Sequence, residues 1–497
     1  MALPQIKFAA LRAINLPARM APKIDLVDSV LDSLRAATAY VDAFAVTRGG
    51  AAAWRARRDE RLAALLRHAH EHSPFYRRLY RALLGARPPS AWRLDELPPV
   101  HKAELMQHFD EWVTDPAVTV EGVREFVRDP ARIGTPFLGR YIVWESSGSS
   151  GRPALFVQDR EALAVGDALQ SARGPVASAL PSWLTPMWSA FGPMLPRLAF
   201  VGAVGGHFAS VVSLARLVRV NPWLQGALRT FSFLQPRHEL AAALEAWQPS
   251  VLSTYPSMAW VLAEERAAGR LRIAPREIWT GGESLTPALR AALSERFGAT
   301  VRDSYGASEC LEMASECGHG GMHLHGDWVI LEPVDECLRP VPEGELGASV
   351  LLTNLANRVQ PVIRYVLGDR VRIVRDPCAC GSALPIVEVH GRDDETLGVD
   401  VRAGERVHLA PLALVTVLED EARVFDFELC QTAPATLRLT LYGCDARPER
   451  VAAARTALQG WLRQQGLGAV RLQCGVCTDG EARGRSGKRL RVRALRA

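Results

Sequence analysis

The sequence predicts an α/β protein with a large N-terminal domain of parallel-rich sheets flanked by helices plus a β-barrel-like part, and a small α+β C-terminal domain. Three observations predict this. From about residue 140, short apolar runs (RYIVWE, RLAFVGAV, SVLSTYP, REIWTGG, ATVRDSYG) alternate with turns or helix-like stretches. That is the pattern of βα units, whose mainly parallel sheets hold ligands at the carboxyl ends of the strands. Residues 346–375 read as antiparallel instead, with LGASVLLTNL and RVRIVRD separated by turn-like segments. Beyond Gly391-Arg392 the composition shifts, and the chain reads as strand (VFDFELCQ, LRLTLYG), helix (Arg447 to Gln465) and strand (VRLQCGV, KRLRVRAL).

Ahead of this alternation, residues 24–86 read as helices. Apolar positions recur at helical spacing through Leu26, Val30, Leu31 and Leu34, then Leu62, Leu65, Leu66 and His70, and Pro74 closes the segment. The expected organisation is a helical segment over 1–86, a large core domain over 87–391 and a small domain over 392–497. A chain of 497 residues exceeds one ordinary core. Its 48% hydrophobic and 23% charged residues are those of a folded protein, not a disordered one. A net charge of +5 argues against a dedicated nucleic-acid binder.

The first twenty residues lack an apolar signal-peptide core. Leu198 to Ala215 is uncharged, but Gly202, Gly205, Gly206 and His207 suit a buried strand, a glycine turn and a helix start better than a membrane span. The nine cysteines form no secreted-type disulfide framework, so a cytoplasmic, reducing compartment is expected. The sequence contains no internal repeat.

The sharpest local signal is Ser146-Ser147-Gly148-Ser149-Ser150-Gly151-Arg152-Pro153, directly after the apolar strand Tyr141 to Trp144 and before a helical stretch. Small residues let backbone N–H groups close around phosphate oxygens, and hydroxyls add donors without bulk. No Gly-Lys-Ser/Thr follows, so it is not a Walker loop. By composition alone such a run is more often a linker. Further motifs follow in order: Gly281-Gly282-Glu283, Tyr305-Gly306-Ala307-Ser308-Glu309, Arg364-Tyr365-Val366-Leu367-Gly368-Asp369, Gly391-Arg392-Asp393-Asp394-Glu395 and Gly487-Lys488-Arg489.

This ordered set resembles the adenylate-forming superfamily of acyl-CoA synthetases and related ligases. The similarity is greatest to the branch that holds phenylacetate–CoA ligase and the coenzyme-F-adenylylating synthetases. HSPFYRRLY and PPVHKAELMQHFDEW resemble that branch too, so the resemblance covers roughly residues 60–497. It implies ATP-dependent attack of a carboxylate on the α-phosphorus, a step governed by positioning and charge neutralisation. By resemblance, Ser146 to Arg152 hold the β- and γ-phosphates, Glu309 holds Mg²⁺ and Ser308 contacts the α-phosphate. Gly281, Gly282, Glu283, Tyr305 and Gly306 frame the adenine, Asp369 accepts the ribose hydroxyls and Arg392 also belongs to the nucleotide site. The alternative is a plain turn residue for Asp369 and a helix-cap acid for Glu309.

Lys488 is the strongest catalytic candidate. Lysine occurs only at Lys7, Lys23, Lys102 and Lys488, so a retained ammonium marks a role arginine fills poorly. The resemblance has Lys488 bridge carboxylate and α-phosphate, delivered by a mobile C-terminal domain that turns about a hinge at Asp394 and closes the site to water. The bland reading is one more basic residue on the strand KRLRVRAL. Three departures from the family pattern stand out: Arg152 for lysine, Val366-Leu367 for Arg-Thr, and Glu395 for Asp.

Cys317, His319 and His323 precede Cys378 and Cys380 by some sixty residues. Two soft-ligand clusters of this kind can build a tetrahedral zinc site. The resemblance favours Cys317, His323, Cys378 and Cys380, with His319 the competing ligand and plain core cysteines the alternative. Cys474 and Cys477 read as strand and turn residues. His207 and Phe208, after RLAFVGAV, and Tyr255, in STYPS, are candidates for an acid-binding pocket, with a packed core histidine the equal alternative. The branch suggests an aromatic acid. The acceptor is CoA or an amine, and monomer and dimer both stay open. Two other classes compete: a degenerate nucleotide-binding regulator, and a zinc-stabilised nucleic-acid binder using the arginines from Arg483 to Arg496, which no RNA-type aromatic signature accompanies.

Overall fold

The computed structural model describes residues 26–84, 87–89, 92–146, 153–175, 196–391, 397–402, 405–424, 427–442, 445–477 and 492–493. The N-terminal region is helical, with α1 (Leu26–Arg48), α2 (Gly50–His72) and α3 (Pro74–Leu84). Pro74 opens α3 instead of closing the segment. Its missing N–H costs nothing in a first helical turn, and the Ser73 hydroxyl accepts the Tyr76 N–H at 3.4 Å.

A buried carboxylate ties these helices to the body. Asp327 has no solvent exposure; Arg173 approaches its two oxygens at 2.6 and 3.1 Å, and Arg61 of α2 lies at 3.1 Å. Arg61 also pairs with Asp42 of α1, and Arg173 donates to the Ala43 carbonyl at 2.9 Å. Burial alone would raise the Asp327 carboxyl, but Arg173 and then Arg61 outweigh it and hold it below the ordinary aspartate value.

Strands β1 (Ile142–Glu145) and β2 (Leu155–Gln158) form an antiparallel pair. The serine–glycine loop therefore joins two strands, contrary to the strand-to-helix setting read from sequence. A short apolar run such as ALFVQ carries no period that separates strand from helix. Helix α7 (Arg160–Ala172) starts only after β2, capped by Asp159, whose side chain accepts the Ala162 N–H. Between the N-terminal helices and β1 lie α4 (Lys102–Gln107), α5 (Phe109–Trp112) and α6 (Val120–Val127).

Among the described residues, the main sheet has nine strands. Five are parallel: β3 (Leu198–Gly202), β4 (Leu228–Ser232), β5 (Val251–Thr254), β6 (Glu277–Gly281) and β7 (Thr300–Ala307), in the order β4-β3-β5-β6-β7. The helices between them are α8 (Ala209–Val220), α9 (Arg237–Trp247), α10 (Pro256–Ala267) and α11 (Pro287–Phe297). Leu198 to Ala215 is thus a strand, a turn and a helix start, as its glycines suggested. No helix among the described residues is long and apolar enough to cross a membrane.

The sheet continues antiparallel through β8 (Cys310–Glu316) and β9 (Met322–Leu324). Beside it β10 (Val329–Val334), β11 (Ser349–Asn354) and β12 (Val362–Val366) make a three-stranded antiparallel sheet. This sheet, where a barrel-like part was expected, reaches the main sheet through Gly347 N–H donating to the Val371 carbonyl at 3.0 Å. The main sheet ends on β13 (Arg370–Val374) and β14 (Ile386–Gly391).

Past Gly391, the described strands pair only with one another. They are the hairpin β15 (Leu397–Arg402) and β16 (Glu405–Leu409), and the sheet β19 (Arg471–Val476), β18 (Thr436–Leu441), β17 (Phe427–Ala433), β20 (Val492–Arg493). Helices α12 (Pro411–Thr416) and α13 (Pro448–Gln464) complete this part. Cys474 lies on β19 and Cys477 just after it. His408 of β16 meets α10, its Nδ1 lying 2.7 Å from Glu264, and its carbonyl accepts from Arg237 at 2.9 Å.

Replacing Asp327 by Ala leaves two buried guanidiniums without their carboxylate, and is expected to cost about 3–5 kcal/mol in equilibrium urea unfolding. Because the folded-state value is depressed, this contribution is present above the unfolded-state value near ~3.9 and is lost as pH falls through the folded one. The variant's stability should therefore fall less steeply in acid than the parent's.

Candidate active site

The parallel strands end at one edge, and a cleft of 1720 Å³ lies there. The segment before α4 docks by backbone pairing: Val100 N–H donates to the Arg364 carbonyl at 3.0 Å, and the Val366 N–H to the Val100 carbonyl at 2.9 Å. This places Lys102 where its Nζ donates to the Ser146 hydroxyl at 3.3 Å. Ser146 also closes the base of the loop, its N–H donating to the Ala154 carbonyl at 2.8 Å and its Oγ accepting the Ala154 N–H at 2.9 Å. Lys102 was not assigned a role from sequence; 44 residues separate it from Ser146, and no local period links them. Ser147, Gly148, Ser149, Ser150, Gly151 and Arg152 lie outside the described residues, as do Arg392, Asp394 and Lys488.

At the next strand ends, Gly281 closes β6 and Gly282 takes a φ of +77°. A Cβ on Gly282 would come within 3.3 Å of the Tyr255 ring, so a residue with a side chain is opposed by both backbone and space. Glu283 turns back and accepts the Ser257 N–H at 3.0 Å, a favourable place for an anion at the start of α10. The Tyr305 hydroxyl donates to the Asp369 carboxylate at 3.0 Å, across 64 residues. Asp303 also lines the cleft, fixed by the Thr280 hydroxyl at 2.7 Å, with burial pushing its carboxyl up to about 6. It stands before the motif that begins at Tyr305, and nothing in the sequence singled it out.

Ser308 and Glu309 form the reversal from β7 to β8. Its carbonyls are pinned from two other sheets: Trp144 Nε1 donates to Ser308 at 2.8 Å, and Asn354 Nδ2 to Glu309 at 3.2 Å. Gly306 is obligatory here, because a Cβ would lie 2.0 Å from the Leu311 carbonyl oxygen. Arg364 points elsewhere. It is buried with a φ of +49°, pairs with Glu332 at 3.1 Å and donates to the carbonyls of Asp95 and Leu97.

Of the pocket candidates, Phe208 and Tyr255 line the cleft. His207 does not. It is buried, its Nε2 lies 3.0 Å from the Asp129 carbonyl, and its ring meets Phe126 edge-on. The Glu145 N–H donates to the His207 carbonyl at 2.8 Å, which fixes the backbone there.

The two Cys/His clusters do meet. Donor atoms of Cys317, His323, Cys378 and Cys380 all lie within 4.8 Å of one another. Cys317 Sγ and Cys378 Sγ are 3.7 Å apart, and Cys380 Sγ is 3.2 Å from His323 Nε2. A tetrahedral ion with metal–sulfur bonds of about 2.3 Å has sulfur–sulfur edges of about 3.8 Å, and a disulfide needs about 2.05 Å. The spacing therefore fits a shared ion. His323 Nδ1 lies 3.1 Å from the Leu384 carbonyl, which fixes the tautomer that leaves Nε2 free. His319, the competing ligand, is exposed and outside the group.

No protein-family model matches the chain. Among curated proteins, the phenylacetate–coenzyme A ligase of Thermus thermophilus is 28% identical over 365 residues, 70% of this chain and 73% of that protein. The Escherichia coli phenylacetate–coenzyme A ligase is 27% identical over 372 residues, 69% and 72% of the two chains. Among solved structures, a 2-hydroxyisobutyryl-CoA ligase with 2-HIB-AMP and CoA in its thioesterification state shares the fold. It has a TM-score of 0.53 and 23% identity, over 88% of this chain and 89% of that one. In fold and in sequence the chain is similar to CoA ligases. Its sequence is similar to the phenylacetate–coenzyme A ligases.

Gly306→Ala is expected to displace β8, since its Cβ cannot share space with the Leu311 carbonyl oxygen. A fall in melting temperature checks this, and a variant that melts with the parent contradicts it.

Proposed function

We propose that the protein converts a carboxylic acid and ATP to an acyl-adenylate and pyrophosphate, then transfers the acyl group to CoA. The observation that carries this reading is the convergence of Ser146, Glu283, Tyr305, Ser308, Glu309 and Asp369 on one cleft from separate strand ends. Ser146 with the following loop residues, aided by Lys102, would hold the β- and γ-phosphates. An ammonium there neutralises charge on the leaving pyrophosphate. Tyr305 and the Gly281–Glu283 turn would flank the adenine, with Asp303 beside its amino edge. Asp369, already oriented by Tyr305, would accept the ribose hydroxyls, since one carboxylate can accept two hydrogen bonds. Ser308 would face the α-phosphate. Glu309 would hold Mg²⁺, which supplies charge neutralisation at the phosphates when bound.

Lys488 would bridge the acid's carboxylate and the α-phosphate, with Arg392 beside the nucleotide. Both come from the chain beyond Gly391, so residues 392–497 would act as a mobile unit hinged at Asp394. In the structure that unit meets the base of the phosphate loop, where Glu145 is pushed up to about 7 by burial and then by the Asp420 carboxylate. Cys317, His323, Cys378 and Cys380 would hold a structural Zn²⁺ at the rim of the sheet. The eight described cysteines are all free, in keeping with a cytoplasmic, reducing compartment. A purely regulatory nucleotide binder finds no support, because the acidic and hydroxyl groups that adenylation uses are present.

A panel of carboxylic acids scored by pyrophosphate release, with and without CoA, tests the reaction. Release dependent on one acid, with a thioester product when CoA is present, is expected. Lys488→Ala should lower adenylate formation at least about a hundredfold while leaving ATP binding nearly intact, as loss of a transition-state donor does. Pyrophosphate release at the parent rate would remove Lys488 from the mechanism.

Metal analysis tests the cysteine cluster independently. Protein never exposed to chelator should carry about one zinc per chain. Cys378→Ser should lower both zinc content and melting temperature. Metal-free protein of unchanged stability would contradict the site.

A further inference from the structure

The cleft extends along α7 and β8, where it holds a carboxylate with no part in the nucleotide chemistry. Glu312 follows Glu309 by three residues on β8 and lines the cleft. At about 3.4 Å per strand residue, it sits within ~10 Å of the turn where acid and α-phosphate would meet. That is the span of a small organic acid. Gln170 of α7 donates its Nε2–H to Glu312 Oε2, and no donor to Oε1 is found among the described residues. Neighbouring Asp167 is committed elsewhere, held by both Nη atoms of Arg216 at 3.0 and 2.6 Å.

There is room beside this carboxylate. Residue 166, one helix position before Asp167, is a glycine, and a Cβ built on it would sit 3.7 Å from Glu312 Cγ. Leu163 and Leu217 line the same cleft and offer no hydrogen bonds. Burial pushes the Glu312 carboxyl up to about 7, with Gln170 opposing and Asp167 adding to the rise. A ligand that supplies a donor to Oε1 would gain a charge-assisted hydrogen bond there.

We propose that Glu312 is a specificity residue of the acyl subsite, accepting a hydrogen bond from a hydroxyl or amino group that the acid carries away from its reacting carboxylate. The proposal rests on the adenylation reading above. A site built around a buried hydrogen-bonding group rejects analogues that lack the matching group, because its own polar atom is then left unpaired. An apolar acid of equal size is therefore the poorer substrate.

The test is pyrophosphate release by the full chain with ATP and Mg²⁺ on matched acids: phenylacetate against 4-hydroxyphenylacetate, benzoate against 3-hydroxybenzoate and 3-aminobenzoate, and butyrate against 4-aminobutyrate. In at least one set the donor-bearing acid should exceed its plain partner at least about tenfold in kcat/KM. Glu312→Leu should abolish or invert that ratio, and Glu312→Gln, whose amide oxygen still accepts, should keep part of it. If Glu312→Leu does not fold, Gly166→Leu, which fills the space beside the carboxylate, should depress the donor-bearing acid selectively.

Release that favours the plain acids in every set, or a ratio unmoved by these variants, overturns the proposal and leaves the ligase reading standing. An absence of release with every acid overturns both. The hydroxyl and arylamine acids offer neutral donors and 4-aminobutyrate a cationic one, which separates the two.

Discussion

The reversal between β7 and β8 is the constraint on which the cleft depends. Tyr305 pairs with Ala314 and Ala307 with Cys310, with a shift of register between them. That shift brings the Leu311 carbonyl into the space where residue 306 would carry a Cβ. Only glycine lets the two strands close this tightly. The consequence is a short, rigid tip at Ser308 and Glu309, which Trp144 and Asn354 tie to two different sheets. Tyr305, one residue before the glycine, is thereby aimed at Asp369, and Glu312, on the returning strand, lines the same cleft. A loosened turn would move the groups proposed for nucleotide, metal and acid together.

Around this tip the structure assembles parts from distant stretches of chain. The segment before α4 adds its backbone beside β12, and this pairing, not any property of α4 itself, delivers Lys102 to Ser146. The N-terminal helices are held by Asp327 between Arg61 and Arg173. A fully buried carboxylate between two guanidiniums persists because each charge satisfies another, and the geometry fixes where α1 and α7 border the cleft. Contacts of His408 with Glu264 and Arg237 seat the C-terminal part against α9 and α10.

Much of this was legible in the chain. The βα alternation after residue 140 gave the parallel strands because buried strands are apolar runs punctuated by glycine and polar turns. The order of the motifs located the cleft, since such segments fall at strand ends in a sheet of this kind. Two local readings failed for identifiable reasons. The strand after the serine–glycine loop is too short to show a period, so the hairpin β1–β2 was read as a strand before a helix. Pro74 was read as a stop, whereas the serine before it makes it a start.

Within the Cys/His cluster, the spacing of Cys317, His323, Cys378 and Cys380 marked two groups of residues that could share an ion but could not choose between His319 and His323. The choice is made by β9, which carries His323 inward with its Nδ1 at the Leu384 carbonyl and leaves His319 on the exposed turn. The same distinction runs through the molecule. Sequence by itself determined which residue types stand at which strand ends, because local periodicity and turn chemistry depend only on neighbours in the chain. Tertiary structure alone decided that His207 turns to Asp129 while Phe208 lines the cleft, that Lys102 meets Ser146, and that Asp303 and Glu312 lie within the cleft. Those outcomes depend on side-chain direction and on contacts between residues tens of positions apart, which are set when sheets and helices pack and leave no local trace in the chain.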